Sequence, residues 1–411
     1  MKKLFEFTKL LQKESKLDPW LARVLITELL WGKKRLSGES KPVKTILSYH
    51  TTFINNTEDD DHPALEKERR NVQLPRYARV NTLYWSVKEA VDYLRNEGWI
   101  LAKEGDRELF PSSDHFRCDK LIPGVLAFPP GTQLYDHPLY RDRSILLQDK
   151  ASCLASYVLS PPEGSFVLDM CAAPGMKTTH LAAIMNNKGT IYAVEKDPKR
   201  YETLCKFVEE AGASCVKTLQ KDSVTLKRES VPGVEYILVD PSCTGSGMVK
   251  RPVSGCFEEE SQDERLHKLV GFQKRILYHA LTEFPSARRV LYSTCSVLSA
   301  ENEEVVSSTL RNLQKNEQKW HLVDPLPEWS GRGCEDEYPG IGKLCIYASF
   351  EEHMTNGFFM AMFERDDISS SSGSNKRDIH ASNQLDCHPD RDDVQQKPKK
   401  LKKKKKILDE T

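Results

Sequence analysis

No stretch of this chain holds the roughly 18 consecutive apolar residues of a membrane-spanning helix. The opening residues, Met1-Lys2-Lys3-Leu4-Phe5-Glu6, lack the apolar core of a secretory signal. Both absences predict a protein that works inside the cell and away from membranes, where disulfides are rare. The 11 cysteines include no CxxC pair, so zinc-ligand spacing is missing and no metal is expected. Neither GxGxxG nor GxxxxGK(S/T) occurs, which removes the usual signatures of dinucleotide and P-loop phosphate binding. Charge of one sign is not in excess, since 60 Lys and Arg balance 60 Asp and Glu. A balanced total still permits a local basic surface, so nucleic acid is neither required nor excluded.

What is present is enough apolar residue for a sizeable core, 39% of 411 residues, at a mean hydropathy of -0.55. That length suggests two or three domains. Residues 1 to about 36 have helical spacing: Phe7, Leu10 and Leu11, then Trp20, Leu21, Val24, Leu25, Leu29 and Leu30. Asp18 followed by Pro19 predicts a helix start, and Gly32 a stop. The polar run 55–70 reads as a connector. A small α/β, RRM-like module is expected over 75–145. Its strands are the segment from Pro75 to Leu83 and Leu121–Phe128, and a helix over 87–96 is capped by Ser86. From 146 to 365 strands and helices alternate as in a doubly wound, Rossmann-like α/β domain. Strands are expected at Phe166–Leu168, Ile191–Val194, Tyr236–Val239, Val290–Tyr292 and Phe358–Phe363, with helices over 177–186, 199–211 and 266–284. The Ser-rich and Lys-rich tail 366–411 reads as disordered, and its lysine run 399–406 as a nuclear or nucleolar address, a loose RNA contact or a solvated tail. The helical region spans 1–55, and a monomer is the default expectation.

The string Asp169-Met170-Cys171-Ala172-Ala173-Pro174-Gly175-Met176-Lys177-Thr178 follows an apolar strand and opens a helix. Small residues there let backbone amides approach a ligand, and the helix N-terminus attracts its negative group. Glu195, at the end of the next strand, can grip the two ribose hydroxyls of an adenosyl ligand. Arg200 lies one turn further on. Asp222 can meet an adenine amine, or it can be an ordinary loop residue.

Asp240-Pro241-Ser242-Cys243-Thr244-Gly245-Ser246-Gly247 and Tyr292-Ser293-Thr294-Cys295-Ser296 each follow an apolar strand. Structural cysteines prefer apolar surroundings, whereas these two are flanked by Ser, Thr and Gly, which makes them candidate reactive thiols. C5 of cytosine is a poor nucleophile. A thiolate adding to C6 turns the ring into an enamine that accepts a methyl group at C5. The C5 proton must then leave and the thiol be expelled, which a second acid or base assists. Asp240 is placed to stabilise charge on the ring.

In order, CAAPGMKT, DPSCTGSG and YSTCS resemble the Nop/Sun RNA cytosine-5 methyltransferases, over roughly residues 1–365. Leu146–Ser152 and Arg76–Thr82 are similar too. Trp20–Gly32, Asp136–Arg141 and Leu269–Gln273 resemble the family's fifth branch, which modifies large-subunit ribosomal RNA. The resemblance implies Cys295 as nucleophile, Cys243 in product release, and S-adenosylmethionine as cofactor. It implies that Cys171, Ala172, Ala173, Pro174, Gly175, Met176, Lys177, Glu195, Arg200, Asp222 and Asp240 line the cofactor pocket. It also implies RNA as partner and a nuclear, nucleolar setting in ribosome biogenesis. Two departures stand out: Met1 falls inside the family's N-terminal helical region, and position 195 is Glu where Asp is usual. Arg76, Tyr77 and Arg79, with Tyr140, Arg141 and Arg143, are candidate RNA contacts, because interleaved basic and aromatic residues hold phosphates and stack bases. The competing readings are a non-catalytic RNA-binding factor and a methyltransferase acting on protein or small molecules. Both leave the two cysteines beside Asp240 without a role.

Overall fold

The computed structural model describes residues between 8 and 55 with short breaks, and then 73–103, 109–249, 262–316 and 319–365. Gly32, most of the connector over 55–70 and the tail over 366–411 lie outside the described residues. The chain divides into two compact units, residues 1–72 and 73–411.

In the first unit, helices α1 (Pro19–Leu30), α2 (Lys41–Ser48) and α3 (His50–Asn55) surround a small core of Leu10, Leu17, Ala22, Ile26, Leu29, Ile46 and Phe53. Asp18 starts α1 as expected: its Oδ1 accepts the Leu21 amide at 2.8 Å. That bond satisfies one of the amides a helix start leaves without a partner.

The second unit begins with a five-stranded sheet in the order β2-β3-β4-β1-β5. The strands are β1 (Arg76–Val80), β2 (Ile100–Leu101), β3 (His115–Cys118), β4 (Val125–Phe128) and β5 (Ile145–Leu146). Helix α4 (Val87–Asn96) is held by a capping box between Ser86 and Glu89. Its Val87, Ala90, Val91 and Leu94 cover Ala78 and Val80 of β1. The strand expected over 121–128 is shorter than predicted. Asp119 Oδ1 accepts the amides of both Leu121 and Ile122, and Gly124 has φ +77°, so 121–124 is a turn. The Pro123-Gly124 pair favours that turn over a ladder.

The larger sheet runs β11-β13-β10-β9-β6-β7-β8, with β12 paired to β13. Its strands are β6 (Phe166–Asp169), β7 (Thr190–Glu195), β8 (Val216–Gln220), β9 (Tyr236–Val239), β10 (Arg289–Thr294), β11 (Trp320–Val323), β12 (Ile346–Ala348) and β13 (Phe358–Arg365). Strands β8, β7, β6, β9 and β10 are parallel, and β13 is antiparallel to β10. Side chains alternate across the pleat, so the sheet feeds two cores. Val167, Ile191, Leu238 and Leu291 pack with α5 (Lys150–Leu159), α6 (Met176–Ile184) and α7 (Pro198–Glu210). Leu168, Tyr192, Ile237 and Tyr292 pack with α8 (Gln262–Glu283) and α9 (Glu303–Lys315). Helices on both faces make this the doubly wound arrangement expected from the sequence. The carboxyl ends of the parallel strands share one edge of the sheet, where ligands of such folds bind.

Phe359 is wholly buried in β13, edge-on to both Tyr292 and Tyr347. Phe359→Ala is expected to destabilise the second unit by about 3–5 kcal/mol, read as a lowered urea midpoint. A midpoint within experimental error of the wild type would contradict this packing.

Candidate active site at the strand ends

Asp169 ends β6, and the turn after it is tied down by backbone bonds from Ala172 N to the Val194 carbonyl (3.0 Å) and from Gly175 N to the Ala172 carbonyl (2.7 Å). Gly175 has φ +110°, and a Cβ there would lie 3.1 Å from Phe207 and 3.2 Å from Leu204 of α7. A side chain is therefore strained by the backbone conformation, and it would also require Phe207 and Leu204 of α7 to give way. Helix α6 starts at Met176, so its first amides face the strand-end edge. Thr178 Oγ1 donates to Asp169 Oδ2 at 2.7 Å, and Lys177 Nζ meets Asp240 Oδ2 at 2.7 Å.

Burial pushes the Asp169 carboxyl up to about 6, against the Thr178 bond that favours its charged form. Burial acts to lower the Lys177 ammonium, but Asp240 and Asp169 outweigh it and the group is raised. The Cys171 thiol is raised well above its ordinary value by burial and by Asp169, Asp240 and Glu195, so it is a neutral wall residue.

Glu195 is 6% exposed at the end of β7. One oxygen accepts the Asp197 amide at 2.9 Å and the other lies 3.2 Å from Arg200 Nη1. Arg200 also donates to the Ala173 carbonyl at 2.9 Å, joining the two strand-end loops. Asp222 caps the turn after β8 through the Val224 amide at 3.1 Å and lies 3.6 Å from Lys196 Nζ. The edge thus carries a helix N-terminus with closely approached backbone, and a carboxylate at the next strand end. This is a donor and acceptor set that fits an adenosyl group joined to a carboxylate-bearing chain.

Cys243 and Cys295 follow the adjacent parallel strands β9 and β10, and their sulfurs stand 3.2 Å apart. The two loops are locked together. Gly247 N donates to the Cys295 carbonyl at 3.0 Å, and Gly357 N to the Gly247 carbonyl at 2.8 Å. A Cβ on Gly247 would collide with the Gly357 carbonyl. The hydrogen bond to Cys295, and burial after it, hold the Cys243 thiol far above the ordinary thiol range. The two thiols share one hydrogen bond, for which either sulfur can be the donor. Asp240 Oδ1 accepts from Ser293 Oγ at 2.8 Å, so the Asp240 carboxylate bridges Lys177 and Ser293.

Sequence reasoning passed over three supports. Ser293 sits two residues before Cys295 on the strand, a hydroxyl inside a buried strand that could have drawn notice. The fully buried Glu301 accepts from the Thr244 amide (3.0 Å), the Thr244 hydroxyl (2.6 Å) and Gln273 Nε2 (3.0 Å). Gln273 also donates to the Ser242 carbonyl at 3.1 Å. Glu301 carried no local signal, because its partners are remote in the chain.

Three expected RNA contacts are corrected. Tyr77 and Arg79 are 6% and 1% exposed, because the face of β1 opposite α4 packs inside the second unit. The Tyr77 hydroxyl donates to the Met354 carbonyl at 2.9 Å. Arg143 is engaged with Glu210 at 2.7 Å and lies over the Phe207 ring. At the surface remain Arg76, set over the half-exposed Tyr135 ring, with Tyr140 edge-on to Tyr135, and Arg141 paired to Asp136. Among the described residues there is no cluster of His, Cys, Asp and Glu able to hold a metal, and no helix is long and apolar enough to cross a membrane.

Family models match along the chain: the N-terminal domain of NOL1/NOP2/Sun domain family member 5 over residues 1–57, its ferredoxin-like domain over 74–148, and the 16S rRNA methyltransferase RsmB/F over 156–364. The chain belongs to the member-5 branch of the NOL1/NOP2/Sun methyltransferase family. Among its relatives is a 28S rRNA (cytosine-C(5))-methyltransferase of Drosophila melanogaster, 42% identical across 89% of this chain and 85% of that protein. A mouse protein of the same name is 40% identical across 87% and 79%. The crystal structure of a methyltransferase homologue from Pyrococcus horikoshii superposes with a TM-score of 0.58 at 25% identity, covering 85% of this chain and all of that one. The Sun-family ferredoxin-like domain coincides with the small sheet, and the RsmB/F match with the doubly wound domain.

Asp169 generates a pH prediction. Its carboxyl holds a proton up to about pH 6 in the fold, against an ordinary value of 3.8. Between those values the folded state binds more protons than the unfolded state. The contribution of Asp169 to stability is therefore full below the lower value and is lost as pH rises through the upper one. Asp169→Asn is expected to remove a slope on the order of 1 kcal/mol per pH unit from urea titrations between about pH 4 and pH 6. Parallel stability–pH curves for the two proteins would count against a buried, proton-binding Asp169.

Proposed function

We propose that this chain methylates C5 of a cytosine in large-subunit ribosomal RNA, using S-adenosylmethionine and a covalent bond from Cys295 to C6. The observation that carries the reading is the 3.2 Å approach of the Cys243 and Cys295 sulfurs beside the Asp240–Lys177 pair. Family membership and the named activity of the Drosophila and mouse relatives support the substrate class. When bound, S-adenosylmethionine supplies an electrophilic methyl group. Cys171 through Lys177, Glu195, Arg200 and Asp222 are the residues we assign to holding it.

In this mechanism the Cys295 thiolate would add to C6, which frees the C5=C6 electron pair at C5 to take up the methyl group that a bound S-adenosylmethionine would supply, the methyl–sulfonium pair leaving with that sulfur. Asp240, with Lys177 as its charged partner, stabilises the charge on the ring. The C5 proton then leaves to a base. Its bonding pair restores C5=C6, and the C6–S bond breaks with its pair returning to Cys295. Cys243, held as a thiol, donates a hydrogen bond to the departing sulfur and so speeds release. The target base must be unstacked to reach the edge. The module at 75–145 is the part we assign to RNA, through Arg76, Tyr140 and Arg141. With 146–365 for chemistry, 1–55 as a helical region and 366–411 as a basic tail, this gives four regions. A ribosomal RNA substrate and the lysine run over 399–406 favour work in the nucleus and nucleolus.

The test is large-subunit ribosomal RNA carrying 5-fluorocytosine, incubated with the protein and S-adenosylmethionine. Fluorine at C5 blocks elimination and traps the adduct. A denaturation-resistant adduct is expected with the wild type and with Cys243→Ala, and none with Cys295→Ala. On ordinary RNA, Cys243→Ala is expected to lose on the order of a hundredfold in turnover. No adduct from folded, cofactor-binding wild-type protein would replace this reading with that of a non-catalytic RNA-binding factor.

A further inference from the structure

Arg79 belongs to β1 of the small module, yet its side chain runs beneath the first turn of α6. Nε donates to Gln148 Oε1 at 2.8 Å, and Nη2 to Thr179 Oγ1 at 3.1 Å and to the Met176 carbonyl at 3.4 Å. Thr179 in turn donates to the same Met176 carbonyl at 3.2 Å. The third nitrogen, Nη1, is buried without a partner, and so is Nδ1 of His180 on the same helix. Among the described residues the structure gives Arg79 no carboxylate partner. Burial brings the guanidinium down only to about 10, so it stays charged at neutral pH. Burial and Arg79 together drive His180 well below its ordinary value, so that ring is neutral and does not share the charge.

A buried cation without a counter-ion is a poor way to stabilise a fold, and apolar groups of similar volume often do as well or better. The charge at Arg79 therefore calls for a reason other than packing. Its position supplies one. The amides at a helix start already carry partial positive charge and favour negative groups. A side-chain cation beneath the same turn adds to that potential, and burial shields it from the salt that screens surface charges. The turn is gripped from its other side by Thr178 and Asp169 at 2.7 Å. Arg79 thus both fixes the orientation of the turn and sets the charge beneath it.

We propose that Arg79 is a positioning residue for the cofactor turn, and that its uncompensated charge selects ligands bearing a carboxylate, as the amino-acid portion of S-adenosylmethionine does. The inference rests on the cofactor reading above. It gives the 75–145 module, through Arg79, an indirect part in cofactor binding.

The experiment measures binding of S-adenosylhomocysteine, which keeps the carboxylate, and of 5′-methylthioadenosine, which lacks the amino-acid portion, by calorimetry on the full chain. Arg79→Met is expected to weaken S-adenosylhomocysteine by about tenfold while changing methylthioadenosine by less than about twofold. Arg79→Lys, which keeps the charge, is expected to restore the first ligand to within about threefold of wild type. If Arg79→Met does not fold, Arg79→Gln decides, since its amide keeps two N–H donors while removing the charge. Equal weakening of both ligands, or none, would show a merely structural arginine and overturn the inference while leaving the cofactor reading intact. Wild-type protein that binds neither ligand would overturn the cofactor reading and the inference with it.

Discussion

The parallel pairing of β9 with β10 sets Val239 against Tyr292, and everything at the proposed reaction centre follows from that register. Neighbouring strands lie about 4.8 Å apart, so loops leaving both at one level stay side by side. Cys243 and Cys295 come from those loops, and the remaining distance is closed by local bonds. Gly247 is clamped between the Cys295 and Gly357 backbones, Glu301 gathers Thr244 and Gln273, and Ser293 fixes Asp240. A one-residue slip between β9 and β10 would turn the side chains of a strand to the opposite face and dismantle the pair.

Electrostatics at the edge depends on the same geometry. Asp169, Glu195 and Asp240 stand at the ends of three parallel strands and would repel one another if unpaired. The structure separates them by partner. Asp169 is buried on Thr178 with a raised pKa, Glu195 is held by Arg200 and the Asp197 amide, and Asp240 is bridged by Lys177 and Ser293. Lys177 lies within the electrostatic reach of Cys295 as well as of Asp240. Cys243 is held neutral by its bond to Cys295 and by burial.

The small sheet is more than an attachment. Its first strand shows two faces of different character: Ala78 and Val80 meet α4, while Tyr77 and Arg79 are buried against the larger domain. On α7, Phe207 packs on Gly175 and carries the Arg143 guanidinium on its ring. Residues that look like a basic, aromatic RNA surface in the sequence thus divide into two sets. One set remains at the surface around Arg76, Tyr135 and Tyr140, and the other joins the module to the larger domain.

The amino-acid sequence by itself was sufficient for the layout. Short, nearly continuous apolar runs placed five of the eight strands of the larger sheet, Ser86 and Asp18 placed helix starts, and the AAPG turn with two cysteines after strands pointed to the candidate site. These features are legible because each depends on residues adjacent in the chain. The strands β2, β3, β5, β8, β11 and β12 were not placed. With two to five residues each they carry too little pattern, and only pairing partners far away make them strands. Nor were the burial of Arg79, the bridging of Asp240 by Ser293, or the gathering of Thr244 and Gln273 by Glu301 legible. Each joins groups from well-separated parts of the chain. A charged side chain reads as a surface residue until the fold supplies buried partners for it, and that supply exists only once the strands have taken their register.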